Sequence, residues 1–397
     1  MLFFSTAFFL PEDIKFNIDK FIFGSIPQTV YETIISPVVS LCPFQQSKLA
    51  CMLEIEGEPI NPTCFLDETL FKNKMQQRLP KWANEQIQQD LSKFKTISTA
   101  ELKQYFTRSN QAERGAVWVQ VKDKKVNITY SIPDSSAQKQ MSQRHGGGVI
   151  HYVLDYLAKN EYIPDTEFIL ALGDFYVPLD NQTIPVFTFA KDLNVAVEKD
   201  FILIPDWQNL GSTPNIRQRI RDANQLNPWK NKKNQLFWRG GKLDSSGFRK
   251  KFIAFAKEHP ELIDAEFVGT YGNGTKIDKR FVTPEDHLGY KYLISIDGQR
   301  CSWERLIWHL HSNSLTFKHQ TKQIQWFYNG IKPFEHFIPV TDEQSILTNM
   351  DWAKEHPNEV QTIIHNASTF VENNLSLEDM YHYITVLLRE YHKKLQE

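Results

Sequence analysis

The segment from Tyr290 to Val340 restricts the fold more than any other. It reads YKYLISIDGQRCSWERLIWHLHSNSLTFKHQ and then, after a short gap, WFYNGIKPFEHFIPV. Tyr290 to Ile296 is apolar and aromatic, as a buried strand is. Asp297-Gly298-Gln299 supplies a turn. Ser302 is a candidate N-cap for a helix whose apolar residues Trp303, Leu306, Ile307 and Leu310 recur at i, i+3, i+4 and i+7. Leu315-Thr316-Phe317 reads as a second short strand. A strand, a glycine turn, a helix and a strand place free N–H groups and the positive end of a helix beside a strand's carboxyl end. That arrangement suits a phosphate. Arg300 and Arg305 bracket it with positive charge, so the expected ligand is phosphorylated.

The rest of the chain repeats the alternation. Gly115–Val121 and Val126–Ile132 read as paired strands, QRHGGG at 143–148 as a loop, and Val149–Leu157 as the start of a helix. Phe168–Leu172, Ile184–Phe189 and Phe201–Ile204 read as buried strands. After a polar stretch from Gln208 to Lys233 the pattern restarts with strand Gln235–Trp238. A helix from about Ser246 follows, with Phe248, Phe252, Phe255 and Ala256 on one face. Strand Ala265–Val268 and a glycine-rich loop lead into the opening segment. Strands alternating with helices predict an α/β fold. The chain has 397 residues, more than one core ordinarily serves, so two domains are expected.

Charge excludes some functions. Lys and Arg number 45 against 47 Asp and Glu, a formal net charge of −2. No basic excess points to nucleic acid and no polybasic run to a membrane surface. Met1–Leu10 is apolar, lacks a basic flank and is too short to span a bilayer. The reading is a packed terminal segment, with a degenerate signal or anchor as the alternative. Cys42, Cys51 and Cys64 cluster without C-x-x-C spacing, which argues against zinc. One disulfide within that cluster, or free buried thiols, are both open. His309 and His311 form H-x-H, but on a helix i and i+2 face different ways, and no metal site is expected.

At the opening segment the chain resembles glycosyltransferase family 90. The residues that carry the likeness are K-Y-L-(x)3-D-G at Lys291–Gly298, S-W-x-R-L at Ser302–Leu306, the Ser312–Ser314 segment with Lys318, and F-Y-x-x-I-K-P-F-x-H-F-I-P-V at Phe327–Val340. The family includes protein O-glucosyltransferases, fungal capsule xylosyltransferases and bacterial lipopolysaccharide-modifying transferases. The likeness runs from about Val149 to the C-terminus, and residues 1–140 carry no recognisable pattern. It implies a GT-B-like fold, two Rossmann-like domains facing a central cleft. Residues 1–207 form the expected acceptor-side domain and 208–375 the nucleotide-sugar domain. The helix within 376–397 is expected to return to the first domain.

The resemblance also assigns roles. Asp174, which ends the strand Phe168–Leu172 and precedes Phe175 and Pro178, stands where the family has its catalytic base; a turn-capping Asp is the alternative, with Asp180 and Asp206 next in line for a base. Phe237-Trp238-Arg239-Gly240-Gly241 resembles the family's aromatic-Arg-Gly-Ser motif, with Gly241 replacing a Ser, and points to Arg239 and Gly241 at the donor. Arg249 is the candidate diphosphate cation, with Lys242 and Lys250 as rivals. Gly298, Cys301, Ser302 and Trp303 are expected to line the diphosphate, Trp303 either as a wall of the site or as a core anchor. In protein glucosyltransferases the Arg of S-W-x-R stands one place earlier, where this chain has Glu304. A Glu cannot hold a diphosphate, so Arg305 takes the role, with Arg300 as rival. Gly146-Gly147-Gly148 resembles the acceptor-side loop only in position.

The resulting expectation is an inverting, metal-independent glycosyltransferase. It moves glucose or xylose from a UDP-sugar to a hydroxyl of a glycan, a lipopolysaccharide or a protein, and needs no cofactor beyond that co-substrate. No D-x-D motif stands at a strand end, so arginines and a helix dipole would hold the diphosphate. The expected location is the cytoplasm or a membrane surface, with the secretory pathway as alternative. A non-catalytic nucleotide- or sugar-binding protein is the other class; Gly241 and Glu304 are the departures that allow it, and turnover separates the two. An NAD-dependent dehydrogenase would need G-x-G-x-x-G at an early strand–helix turn, which is absent.

Overall fold

The computed structural model describes residues 61–110, 116–130, 146–172, 184–268 and 282–396. Met1–Leu10, Cys42, Cys51, Asp174, Asp180 and the glycine-rich loop before Val282 lie outside them.

The first unit opens with helices α1 (Glu68–Met75) and α2 (Lys81–Leu91), strand β1 (Ile97–Ser98) and helix α3 (Thr99–Asn110). Strands β2 (Ala116–Lys122) and β3 (Lys125–Tyr130) form an antiparallel hairpin. Asp123 and Lys124 turn it with φ of 50° and 62°, the left-handed pair that a two-residue hairpin demands. Helix α4 (Gly148–Lys159), β4 (Thr166–Ala171), β5 (Val186–Thr188), β6 (Lys191–Asp192), β7 (Ile202–Leu203) and α5 (Trp207–Leu226) follow. The five-stranded sheet has order β3-β2-β4-β5-β7, with β4, β5 and β7 parallel. Central strands β2 and β4 bury nearly every residue, while edge strand β3 alternates between exposed and half-buried, as covered and uncovered strands do.

The second unit contains β8 (Lys233–Gly240), α6 (Phe248–Glu258), β9 (Ile263–Phe267), α7 (Pro284–His287), β10 (Tyr290–Ser295), α8 (Glu304–His311), β11 (Leu315–His319), β12 (Gln323–Ile324) and β13 (Ile338–Val340). Its five-stranded sheet is wholly parallel, in the order β9-β8-β10-β11-β13. Numbered within the unit, that is 2-1-3-4-5, a doubly wound order whose switch point falls between β8 and β10. The helices divide accordingly. Phe248 and Phe252 of α6 pack with Trp238 and Ile294 on one face, and Trp308 of α8 packs with Phe237 and Leu293 on the other.

Among the described residues, a strand pairing and the final helix are two of the features that join the units. Strand β12 pairs antiparallel with β6, Gln323 opposite Asp192 and Ile324 opposite Lys191. After α9 (Glu343–Glu355) and α10 (Pro357–Asn374), helix α11 (Leu377–His392) packs into the core of the first unit. Its Tyr383 hydroxyl donates to Leu203 O at 3.3 Å and Tyr391 to Glu167 O at 3.2 Å. The chain ends with β14 (Leu395–Gln396) paired to β1. The architecture is α/β and GT-B-like, with two sheet-centred units and a final helix returning to the first.

Some sequence expectations need correction. Helix α8 starts at Glu304, not after a Ser302 cap; its N-cap is Trp303, with φ of 51° and no side-chain capping bond. The Ser302 hydroxyl instead bonds to Ser295 Oγ at 2.7 Å. In α6 the buried face uses Ile253, and Phe255 is only half-buried. Cys64 is disulfide-bonded, while Cys301 is a free, buried thiol.

Candidate active site

The carboxyl ends of β8 and β10 meet the N-terminal ends of α6 and α8 at the switch point. Four arginines from the sequence reading lie near it, and their partners sort them into two pairs. Arg239 is held by a carboxylate: its Nη2 donates to Asp264 Oδ1 at 2.6 Å and its Nη1 to Asp264 O at 3.0 Å. Tyr290 donates to the other oxygen of Asp264 at 2.7 Å. Arg239 shares its sheet face with Phe237 two residues back, over whose ring it lies at 4.4 Å. Its head is therefore turned back along the sheet rather than toward the switch point. Arg300 is also compensated. Its two terminal nitrogens donate to the two oxygens of Glu198 at 2.7 and 2.8 Å, a fork-to-fork pair. Glu198 belongs to the first unit, in the turn Ala196–Asp200.

Arg249 and Arg305 differ. Arg249, in the first turn of α6, donates to Gly241 O at 3.0 Å, Leu243 O at 3.1 Å and Ile296 O at 2.8 Å. Arg305, in the first turn of α8, donates to Arg239 O at 2.7 Å. Each therefore binds a carbonyl at the end of the strand that the other's helix follows. Among the described residues neither forms an ion pair with a carboxylate. Burial lowers the pKa of both, with Arg249's charge adding to the effect on Arg305, which falls to about 10. The nearby carboxylates of Asp244 and Asp297 act the other way on Arg249, and Glu304 does so on Arg305. Two neighbouring buried guanidinium groups whose side chains bond only to carbonyls suit an anion.

The loop between β10 and α8 closes the site. Gly298 lies against Arg249: a Cβ there would stand 3.2 Å from Nη2. The Gly298 N–H donates to Arg300 O at 2.7 Å, and its carbonyl accepts from Ser245 N at 2.9 Å. Asp297, almost wholly buried, accepts from Ser302 N at 3.2 Å and Thr321 Oγ1 at 2.6 Å. The Ser302 N–H is thus engaged within the protein instead of facing a ligand. Cys301 is buried, and burial raises its thiol pKa. Trp303 is half-buried against the core of the first unit, which matches the anchor reading better than the wall.

Asp206 caps α5, accepting from Gln208 N and Asn209 N at 3.0 Å each, and its side chain is also bonded by the Asn209 amide. Burial lifts its pKa to about 7, with the charge of Glu304 adding. Burial raises Glu304 as well. Gly146 packs under the same helix start: a Cβ would lie 3.3 Å from Trp207 and 3.4 Å from Leu172, so Gly146 has a packing reason. His309 and His311 face different neighbours, the ring of His287 at 6.3 Å and the hydroxyl of Ser368 at 3.4 Å.

The structure thus brings together Gly241, Arg249, Gly298 and Arg305, and turns the side chains of Arg239 and Arg300 onto carboxylates. The sequence reading missed Asp264, Glu198, Asp297 and Gln323, which hold the site's parts in place. Asp297 stands in the K-Y-L-(x)3-D-G motif but was read only as part of a turn; the other three stand in no motif. The one usable signal was that Arg239 needs a counter-charge on a neighbouring strand.

The chain matches the model of glycosyl transferase family 90 over residues 76–397. Protein O-glucosyltransferase 1 of Bos taurus is 30% identical over 276 residues, covering 62% of this chain and 67% of that protein. The Homo sapiens protein of the same name gives the same figures, 30% over 276 residues with 62% and 67% covered. Protein O-glucosyltransferase 3 of Homo sapiens is 23% identical over 326 residues, 77% of this chain and 61% of that one. Among solved structures, Anabaena Alr3699/HepE in complex with UDP and glucose matches with a TM-score of 0.31 and 11% identity, over 44% of this chain and 52% of that one. With the family model spanning most of its length, the chain belongs to glycosyl transferase family 90 and is a glycosyltransferase.

Proposed function

We propose that the enzyme is inverting and metal-independent, and that it transfers glucose or xylose from a UDP-sugar to a hydroxyl of a glycan, lipopolysaccharide or protein. The observation that carries this reading is the convergence of Arg249 and Arg305 on the switch point with no carboxylate on either. A diphosphate bound there takes charge-assisted hydrogen bonds from both. The same contacts strengthen as the β-phosphate oxygen leaves and its charge grows. Asp174, outside the described residues, is the proposed base. It takes the proton of the acceptor hydroxyl; the oxygen bonds to the anomeric carbon from the face opposite UDP; the bond from that carbon to the phosphate oxygen breaks; and UDP departs with the electron pair. Two arginines in this position make a divalent cation and any further cofactor unnecessary. The names of the curated relatives favour glucose and a protein acceptor.

No helix of the described residues is long and apolar enough to cross a membrane. The disulfide at Cys64 favours the secretory pathway over the cytoplasm as the location, since thiols stay reduced in the latter. The test is a panel of nucleotide sugars in EDTA, reading UDP release with and without acceptor and the anomeric configuration of the product. The expected result is acceptor-dependent release from UDP-glucose or UDP-xylose, with a β-linked product from an α-linked donor. A retained configuration, or activity lost in EDTA and restored by manganese, overturns the proposal.

A further inference from the structure

Glu198 stands in the first unit, yet its bonds end on the loop that closes the donor site in the second. Both its oxygens are engaged by Arg300, at 2.7 and 2.8 Å, and Oε2 also accepts from Asp192 N at 2.7 Å. Asp192 faces Gln323 in the β6–β12 ribbon. The Gln323 amide Nε2 donates to Gln299 O at 3.2 Å and to Ser245 Oγ at 2.9 Å. The network therefore closes on itself. From Glu198 it runs one way through Arg300, and the other way through Asp192 and Gln323 to Gln299, the residue beside Arg300. Gly298, which touches Arg249, is next in the loop and is bonded to Arg300 O.

A buried ion pair is a weak stabiliser, because desolvation offsets most of its attraction. Its strength is geometric: a bidentate pair fixes distance and orientation together. We propose that Glu198 is a positioning residue for the donor. By clasping Arg300 across the unit boundary it sets the Gly298–Ser302 loop, and through Gly298 the place of the Arg249 guanidinium. This inference rests on the reading of Arg249 and Arg305 as the diphosphate site.

Two variants test it, with Arg305→Ala as a control. Glu198→Gln keeps the shape but loses the charge. Its expected effect is a donor KM raised on the order of tenfold, as misplacement of a binding group gives, with acceptor KM unchanged. Glu198→Leu combined with Arg300→Leu removes both charges, so no unpaired charge stays buried and melting temperature returns to near the wild-type value. Donor KM should stay high in it, because the clasp is gone. Recovery of melting temperature and donor KM together makes the pair purely structural and overturns the proposal, as does a wild-type donor KM in Glu198→Gln. The control separates the two claims. If Arg305→Ala binds UDP like wild type, the diphosphate reading is what fails; amide exchange at Gly298 and Ser302, expected to be faster in Glu198→Gln, then reports on the clasp without any ligand, and unchanged exchange there overturns it.

Discussion

Arg249 and Gly298 touch: a Cβ added to Gly298 would stand 3.2 Å from Nη2 of the guanidinium and 3.6 Å from its Cζ. The glycine is required for close approach, not for an unusual backbone angle. Gly298→Ala should therefore fold normally and push the guanidinium away. Arg249 cannot shift without loosening its bonds to Gly241 O, Leu243 O or Ile296 O. The expected loss of UDP affinity is about fivefold to tenfold, roughly 1 kcal/mol, the worth of one ordinary hydrogen bond. Calorimetry with UDP decides it, and an unchanged Kd would place Arg249 away from the ligand.

The sorting of the four arginines gives a second prediction. Arg249→Ala and Arg305→Ala should each weaken UDP binding by about 1.5–3 kcal/mol, the scale of a hydrogen bond from a charged donor. Arg239→Ala should act on stability, because it leaves Asp264 and the Tyr290 hydroxyl bonded to it without their cation. A melting curve and a UDP titration on each variant separate the classes. Loss of UDP binding in Arg239→Ala with an unchanged melting temperature would reverse the assignment.

Much of this was legible in the sequence, for a physical reason. Buried strands such as Phe168–Leu172 and Tyr290–Ile296 announce themselves because both faces are covered and the apolar run is unbroken. Helix α11 was legible by its 3.6-residue period, Met380, Ile384, Leu387, Leu388 and Tyr391 all being buried. The start of α8 was misread, because Ser302 looks like a cap by type, whereas the helix begins one residue later after Trp303 and the Ser302 hydroxyl bonds to Ser295 on the preceding strand. Arg300 was a credible phosphate ligand for the same reason. Its partner Glu198 lies 102 positions away in the chain, beyond any local pattern. Sequence alone gives the cations of a site; which of them carries a counter-charge is decided by long-range packing.

The buried titratable groups predict how stability changes with pH. Burial pushes His287 and His311 down to about 3, the nearby arginines adding to it. Both are neutral when folded and titrate near the ordinary value of about 6.5 when unfolded. The unfolded chain then binds more protons, so this stability is full above about 6.5 and is lost as pH falls toward 3. Asp206 acts in the opposite sense. Its pKa is raised from 3.8 to about 7, so the folded state holds the extra proton, and stability from it declines as pH climbs through that window. Denaturant curves across pH 4–8 should show Asp206→Asn gaining on wild type as pH rises. His287→Gln, which keeps a donor for Thr283 O, should gain as pH falls. Parallel profiles in both comparisons would mean that these groups titrate alike in the folded and unfolded chains.

The proposed base can be tested against its nearest structural rival. Asp174→Asn keeps shape and polarity but cannot take the acceptor's proton. A positioned general base contributes about 10²–10⁴-fold to rate, so transfer should fall by that factor while UDP binding and melting temperature hold. Asp206 also follows a strand end on the acceptor side, and its raised pKa invites a catalytic reading. Its geometry answers otherwise: the carboxylate is wholly buried and takes the N–H groups of Gln208 and Asn209 at the start of α5. Removing an N-cap costs about 1 kcal/mol of stability. Asp206→Ala should therefore melt lower, yet its folded fraction should transfer sugar at close to the wild-type rate. If instead Asp206→Ala loses transfer while Asp174→Asn keeps it, the base is Asp206, and the N-terminal end of α5 belongs to the catalytic site.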